Sequence, residues 1–564
     1  MGTNKIAAAF IILFLAMTPR AFAQAEYVPY NHPSYDFLER MNSLHFIQGF
    51  NDFERPLTRK LIADYIRQLL PFNDRLDNSD RKLLTDFQNE FEYELSGTLK
   101  NSRNLIADST HSFTFLWQGP KYLYSFADSG KASVFFDFLA DYETISENSF
   151  LTPRENLGGT FLRWGGTIRG TFLDKFGFYI KGTNGKLFGS KKAARSVNEL
   201  KFNYKLNAGP NLVTASDYFD NSEGYLSADF GLVRFKIGRD QNLVGYGPVR
   251  NILGDNAPQY DYLSLAFNYK FISFSYLHAK LLGSLSHSID SLQGEITTAD
   301  EKYMGYHRLG LNISRDFSIG LGELVVYSRR SIDLSYLNPF NFYKSTEHAN
   351  QDRDNSMLFF DVANYSIKGL KLAGSVFIDD IDFGKIGSGW YGNQTAYDLY
   401  LRSFNLYGLF PLDFAFEYLR VEPYVFTHRI TDNNFTNMSY SLADPILPNS
   451  DMFLLALNYR PGIRLSFKAE VRFSRHGANL FGADGRLVRN FGGDVNYGYR
   501  LGDPTEVHFL EGEREYYRMI SFSSVFEPVK NYYISGRVLF QNNSLKNIPS
   551  QKFLAAYFLI NIGI

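Results

Sequence analysis

Two stretches of the chain concentrate aromatic rings, amides, carboxylates and guanidinium groups. They are GRDQNLVGYGPVRNILGDNAPQYDYL, Gly238–Leu263, and GELVVYSRRSIDLSYLNPFNFYKSTEHANQDRDN, Gly322–Asn355. The first carries Arg239, Tyr246, Arg250, Asp255 and Asn256; the second carries Tyr336, Asn338, Tyr343, Glu347, Asp354 and Asn355. Such a set suits sugar recognition, because the C–H faces of a sugar ring pack on flat aromatics while its hydroxyls need fixed donors and acceptors. The same residues would serve equally well if the two loops folded inward and paired with each other to close a lumen. Catalytic chemistry is not signalled. There is no H-E-x-x-H and no G-x-S-x-G. Gly245 and Gly247 lie between strands with no helix following, which argues against a phosphate loop. The ten histidines show no ligand spacing, and His348 beside Glu347 reads as an exposed loop residue. Asp379, Asp380 and Asp382 could hold a hard cation at a loop mouth, but read more simply as a solvated acidic loop. No enzyme activity, cofactor or bound metal is expected.

The elements that must position these residues are strands. In IRLSFKAEVRFS, Ile463–Ser474, the apolar Ile463, Leu465, Phe467, Ala469, Val471 and Phe473 fall on one face of a strand, and Arg464, Ser466, Lys468, Glu470, Arg472 and Ser474 on the other. The pattern recurs from about residue 130 to the end. It predicts an all-β transmembrane barrel of about 18 antiparallel strands, with the apolar face to lipid and the polar face to a wet lumen. Slipping the register by one residue would turn Lys468, Glu470 and two arginines towards hydrocarbon, at roughly 2–4 kcal/mol for each basic residue near the midplane. Strands are predicted at 132–143, 159–173, 175–184, 198–207, 223–239, 259–269, 271–281, 303–315, 320–332, 356–367, 369–379, 395–406, 410–421, 450–460, 462–475, 512–526, 530–542 and 551–564. A further candidate, Phe113–Gln118, would make the count odd and is set aside. Short turns at Lys270, Asp316–Ile319, Lys368-Gly369, Tyr407–Leu409 and Pro461-Gly462 face the periplasm. Long loops at 240–258, 282–302, 333–355, 380–394, 422–449 and 476–511 face outside. The 208–222 connection is too long for a periplasmic turn in this scheme and has no explanation within it.

Composition agrees with a barrel. The 564 residues include no cysteine, which excludes disulfides, thiolate metal sites and a lipoprotein anchor, while 38 Tyr and 53 Phe bring aromatics to 17%. Mean hydropathy is -0.24, as expected when half of each strand is polar. A net charge of -1 argues against a nucleic-acid partner. Lys5, the apolar Ile6–Met17 and the Ala21-Phe22-Ala23 site make residues 1–23 a signal peptide, with the mature chain starting near Gln24. Residues 24–100 instead follow helical spacing, and are expected to form a small bundle on the periplasmic side that docks on the barrel. Tyr35, Leu38, Met41 and Leu44 mark the first helix. Thr58 caps a second, with Leu57 and Ile62 as a staple and Pro71 at its end; a third starts near Asn78 or Ser79. Residues 101–131 connect this bundle to the barrel at 132–564. The last strand alternates Phe558, Ile560, Ile562 and Ile564, the apolar pattern that resembles a barrel-assembly recognition signal, so that machinery is an expected partner.

Three stretches together resemble the Wzi family of capsule-assembly outer-membrane proteins. They are VPYNHPSYDFLERMNSL…RPLTRKLIADYIRQLL, the G-R…Y-G-P…L…N-A-P series from Arg239 to Pro258, and the H-R…G-E…Y…Y-L-N-P…E…D-N series from His307 to Asn355. Tyr246 stands where that pattern leads one to expect Trp, and Val249 where it leads one to expect Gly. The resemblance implies an eighteen-stranded barrel in the outer membrane of a Gram-negative bacterium, with a periplasmic helical bundle. It implies a lectin that binds capsular or extracellular polysaccharide at the cell surface. The competing readings are a general diffusion porin, or a porin whose GFNDFERPLTR segment belongs to a peptidoglycan-binding module.

Overall fold

The computed structural model describes residues 25–108, 113–128, 131–150, 156–207, 217–292, 294–406, 411–545 and 548–564. The predicted signal peptide, 1–23, and the predicted Tyr407–Leu409 turn lie outside the described residues. Eighteen antiparallel strands close a barrel. They are β1 Ala132–Phe150, β2 Leu157–Phe172, β3 Phe176–Gly189, β4 Tyr218–Asp229, β5 Val233–Asp240, β6 Tyr260–Tyr269, β7 Ile272–Asp290, β8 Gly294–Asn312 and β9 Phe317–Ser328. They continue as β10 Asn355–Asn364, β11 Leu370–Asp380, β12 Gln394–Ser403, β13 Leu412–Val421, β14 Ser450–Gly462, β15 Leu465–Ala478, β16 Glu513–Val529, β17 Tyr532–Leu545 and β18 Ile548–Gly563. Closure is made by β18 on β1, from Lys552↔Phe150 to Gly563↔Leu139. Below that seam the short strand Tyr124–Asp128 pairs with Ala132–Phe136 and extends the wall.

Alternation along the strands separates the two faces. On β15, Val471 is exposed to the outside, while Lys468 and Arg472 both pair with the buried Glu470 on the lumen side. Leu309, Leu321, Phe360, Leu455, Ile520 and Phe522 continue the apolar exterior. Exposed Phe172, Tyr269, Phe271, Tyr459 and Phe526 form an aromatic girdle near the short turns. At the other edge, outward-facing ion pairs Arg239–Asp261 and Arg475–Asp451, with exposed Lys280, mark a charged collar where the apolar belt ends.

The strand count agrees with expectation, yet two of its members were misread. Residues 198–207 form no strand: they are turns and a one-turn helix, Tyr204–Asn207, that pack over Ile145, Phe161 and Phe219. Residues 223–239, read as one strand, belong to the hairpin β4–β5, reversed at Gly231 with φ 86° and closed by Phe230 N–H donating to Val233 O. The errors cancel in the count, and the anomalous 208–222 connection disappears. The described residues 190–207 belong to the outer side, between β3 and β4, and 230–232 make the periplasmic turn. The predicted loop 282–302 is also overturned, because β7 and β8 run on as a tall hairpin with register down to Asp290↔Gly294. Phe113–Gln118 contains a 3-10 turn, Thr114–Leu116, and no strand.

The N-terminal helices are α1 Ser34–Ser43, α2 Arg59–Leu69, α3 Asn78–Glu90 and α4 Glu92–Ser96. Thr58 caps α2 by accepting Leu61 N–H, and Asp77 caps α3 by accepting the N–H groups of Ser79 and Asp80. Leu38, Met41, Ile62, Ile66, Leu69, Leu84 and Phe87 make their shared core. The bundle sits on the short-turn end: Gly369 N–H donates to Ser43 O at 2.8 Å, His45 Nε2 lies 2.8 Å from Tyr365 O, and Ile463 packs on the helical core.

Candidate functional site

The segment from Asn51 to Thr58, between α1 and α2, rises into the lumen, and the loop between β5 and β6 folds down to meet it. Glu54–Arg55 pairs antiparallel with Leu243–Val244. Phe53, 1% exposed, lies 4.8 Å from the ring of Tyr246 and stacks on Phe359 of β10. Buried charges on the strands hold this plug. Lys371 of β11 donates to Glu39 of α1 at 2.5 Å and to Asp52 at 3.2 Å. Arg308 of β8 forks onto Asp361 of β10 at 2.7 and 2.8 Å and reaches Glu54 at 3.4 Å. Tyr306 OH donates to Glu54 at 2.8 Å. Burial alone would raise the Asp52 carboxyl, but Lys371 and Arg55 beside it hold it well below the usual range.

Above the plug the β5–β6 loop is locked to the β13–β14 loop, chiefly through Asp444. Asp444 accepts Arg250 N–H at 2.6 Å and Asp255 N–H at 3.1 Å. Gly254 N–H donates to Leu442 O at 2.8 Å, and a Cβ on Gly254 would stand 2.1 Å from Asp444 Oδ1, so this approach requires glycine. Gly247, with φ 72°, lets the loop pass over Glu417, which accepts Val249 N–H at 3.2 Å. Burial pushes the Asp444 carboxyl up to about 6 against the pull of the Arg250 guanidinium. Beside the plug, towards the periplasm, a cavity of about 340 Å³ with mixed polar and apolar lining runs between Asn51, Glu54 and β5–β9.

The predicted residues divide among three places. Tyr246 is in the lumen core, its OH 3.1 Å from Asp361 Oδ1. Asp255 and Asn256 stand higher, at the mouth, where Asn198 donates to Asp255 at 2.7 Å and Lys201 to Asn256 at 3.2 Å, while the Arg250 guanidinium is buried in the lumen near Asp444, Asp52 and Glu417. Arg239 is exposed on the outer wall, forked onto Asp261 at 2.8 Å. Tyr336, Tyr343, Glu347 and Asp354 are buried against the outside of the barrel, not in its mouth. Asp354 accepts Tyr336 OH at 2.8 Å and both arms of Arg330 at 2.7 Å; Glu347 accepts Ser356 OH. Asn338 is exposed at the foot of that loop, while Asn355 turns inward and donates to Asn433 O at 3.1 Å. The bodies of the two loops, around Tyr246 and around Tyr336–Glu347, therefore lie on opposite faces of the wall rather than against each other. Loop β5–β6 packs inside the lumen against the N-terminal segment and loop β13–β14 instead.

A half-exposed patch joins Asp255 and Asn256 at the mouth, and the sequence reading missed it. Phe202 and Tyr440 meet edge to face at 4.8 Å, with Lys201 Nζ 4.7 Å from the Phe202 ring. The alternating KFNYKLN run disguised this segment as a strand; Asn203 and Asn207, both poor strand residues, were the available signal. Asp379, Asp380 and Asp382 do not converge on a cation: each carboxylate is spent on a nearby N–H, of Phe426, Ile381 and Gly384. Glu347, His348 and Asp352 bring possible ligand atoms within 4.8 Å, but Glu347 is already engaged by Ser356 and by Lys344 at 3.0 Å.

Comparison with known proteins agrees with the architecture. The chain is similar to Wzi of Escherichia coli, an outer membrane protein involved in group 1 capsule assembly and a carbohydrate-binding β-barrel. The TM-score is 0.56 at 9% identity, covering 96% of this chain and 99% of that one. OccAB4 of Acinetobacter baumannii gives 0.45 at 9% identity over 77% and 98% of the two chains. OccK8 (OprE) of Pseudomonas aeruginosa gives 0.43 at 12% over 76% and 98%. No curated protein matches the chain. The model of capsule assembly protein Wzi matches residues 154–499, more than half of the sequence, and the chain thus belongs to the Wzi capsule-assembly family of outer-membrane barrels.

Proposed function

We propose that this barrel binds extracellular polysaccharide at its outer mouth and holds it at the cell surface during capsule assembly. The observation that carries the reading is the obstructed lumen. Phe53 from below and Tyr246 from above meet in one apolar core with the wall, and Lys371, Arg308 and Asp444 fasten the parts. A diffusion porin of this strand number needs an open water column, which this packing disfavours. A long polar polymer is then left with the outer loops. There Phe202 and Tyr440 offer rings beside Asn198, Lys201, Asp255 and Asn256, the combination that sugar recognition uses. The carbohydrate binding of the Escherichia coli relative supports the same class of ligand. Purified protein should retain surface polysaccharide from the producing cells, and Phe202→Ala and Tyr440→Ala should each weaken retention by roughly 2–10-fold, the worth of one ring contact of about 0.5–1.5 kcal/mol. Equal retention by both variants and wild type would remove the mouth patch. No retention by wild type, with large steady conductance in planar bilayers, would return the protein to the porins.

A further inference from the structure

Loop β9–β10 does not stand above the barrel. Its two helices, α5 Leu334–Leu337 and α6 Tyr343–Ala349, fold down over the outer wall of β7–β10. On these strands Leu277, Met304, Tyr306, Leu324 and Met357 belong to the lumen core, so Tyr276, His278, Tyr303, His307, Glu323 and Tyr327 face outward. All of these are covered by the loop. Tyr276 OH donates to Tyr336 O and Leu337 O at 3.1 Å, Tyr343 stacks on His307 at 4.4 Å, and Phe340 stacks on Phe274 at 5.3 Å. Glu323, paired with His307 at 2.9 Å, also accepts Tyr343 N–H at 2.9 Å and Lys344 N–H at 3.3 Å.

The depth of this contact decides what surrounds it. Phe274 lies six positions below Lys280 of the charged collar, on the same face of β7. At ~3.3 Å per residue and a tilt of ~40°, that places it about 15 Å below the collar, inside a belt about 25 Å tall. The wall beside it is the exposed apolar row Leu309, Leu321 and Phe360. The loop turns apolar side chains the same way: Leu334 is 79% exposed, Phe340 80%, Phe342 54% and Ile332 48%. Its backbone is also prepared for a medium without water. Phe340 N–H donates to Asn338 Oδ1, Asn338 Nδ2 to Asn341 Oδ1, Asn341 Nδ2 to Ser335 O, and Ser335 N–H to Asp333 Oδ1.

We propose that loop β9–β10 is a membrane-embedded strap, with Leu334, Phe340 and their neighbours packed against lipid acyl chains as a continuation of the barrel's lipid-facing surface. The strap carries across the belt a sector whose wall would otherwise expose two histidines and a glutamate to hydrocarbon. Because the chain has no cysteine, single nitroxide labels can be placed without background. Leu334→Cys and Phe340→Cys would be labelled in the full-length protein reconstituted in phosphatidylethanolamine–phosphatidylglycerol vesicles. Leu321→Cys on the wall and Leu501→Cys on the fully exposed outer loop serve as references. The expected result is collision with oxygen and protection from a water-soluble nickel chelate at 334 and 340, as at 321, with the ratio severalfold above that at 501. Nickel access equal to that at 501 would overturn the proposal and put the loop in water. Protection from both reagents would also overturn it, by showing that another protein surface, such as a second copy, covers the strap.

Discussion

Replacing Lys371 by methionine tests how the plug is held. Lys371 is 1% exposed, and its ammonium joins three elements: strand β11, Glu39 of the docked bundle and Asp52 of the plug. It lies over the rings of Tyr246 and Tyr400 at 4.9 and 5.5 Å, so methionine fills the space with little loss of packing. The change therefore falls on the charges. Removing one partner of a buried pair costs about 3–5 kcal/mol. Here each carboxylate keeps an arginine, Arg402 for Glu39 and Arg55 for Asp52, which places the cost at the lower end, about 3 kcal/mol. That corresponds to roughly a 100-fold larger population of the undocked N-terminal region. Limited proteolysis of purified full-length protein measures it, with cleavage before residue 60 rising accordingly and heat-modifiable migration showing the barrel intact. Adding Glu39→Gln to Lys371→Met should recover part of the protection, since the surplus carboxylate is what costs and Arg402 keeps Asp36 and Asp413. Lys371→Met as resistant as wild type, or a double variant worse than the single one, would refute the electrostatic account of docking.

Other consequences concern the mouth. Asp444, buried and pushed up to about 6 from an ordinary 3.8, binds its proton more tightly in the folded state, so the lock is strongest below about 3.8, weakens as pH rises to about 6, and is flat above. That gap corresponds to at most roughly 3 kcal/mol. Hydrogen-exchange protection of the Arg250 and Asp255 amides should fall across this window, and Asp444→Asn should abolish the pH dependence. Gly254→Ala drives a methyl into the Asp444 carboxylate, so it should free both loops at a cost of about 1–3 kcal/mol, read as exchange localised to 243–259 and 436–446. Tyr336→Phe leaves Asp354 one donor short under the strap, for a loss of about 1 kcal/mol in thermal stability without effect on polysaccharide retention.

Where a strand faces lipid on one side and water on the other, its residues announce it, and β15 or β18 could be placed within two or three positions. Reading failed where something else changes what a face touches. Residues 198–207 alternate because a short helical turn packs over Phe161 and Phe219, not because they pair with neighbours. Hairpin β4–β5 was lost because its turn, Phe230-Gly231-Leu232, is as apolar as the strands around it, leaving Gly231 as the only mark. Loops 240–258 and 333–355 were singled out for the right density of polar and aromatic groups, and that density is spent on opposite tasks. One meets Asn51–Arg55 inside the barrel; the other shields His278, His307 and Glu323 outside it. In β8 the run Tyr303–Leu311 carries Tyr and His on the face that elsewhere carries Leu and Phe. A strand with polar groups on both faces cannot stand bare in lipid. That break in alternation, repeated at His278 of β7 and Glu323 of β9, was therefore the trace of the strap in the sequence, and it would be the feature to seek in other barrels whose outer loops are too long for their mouths.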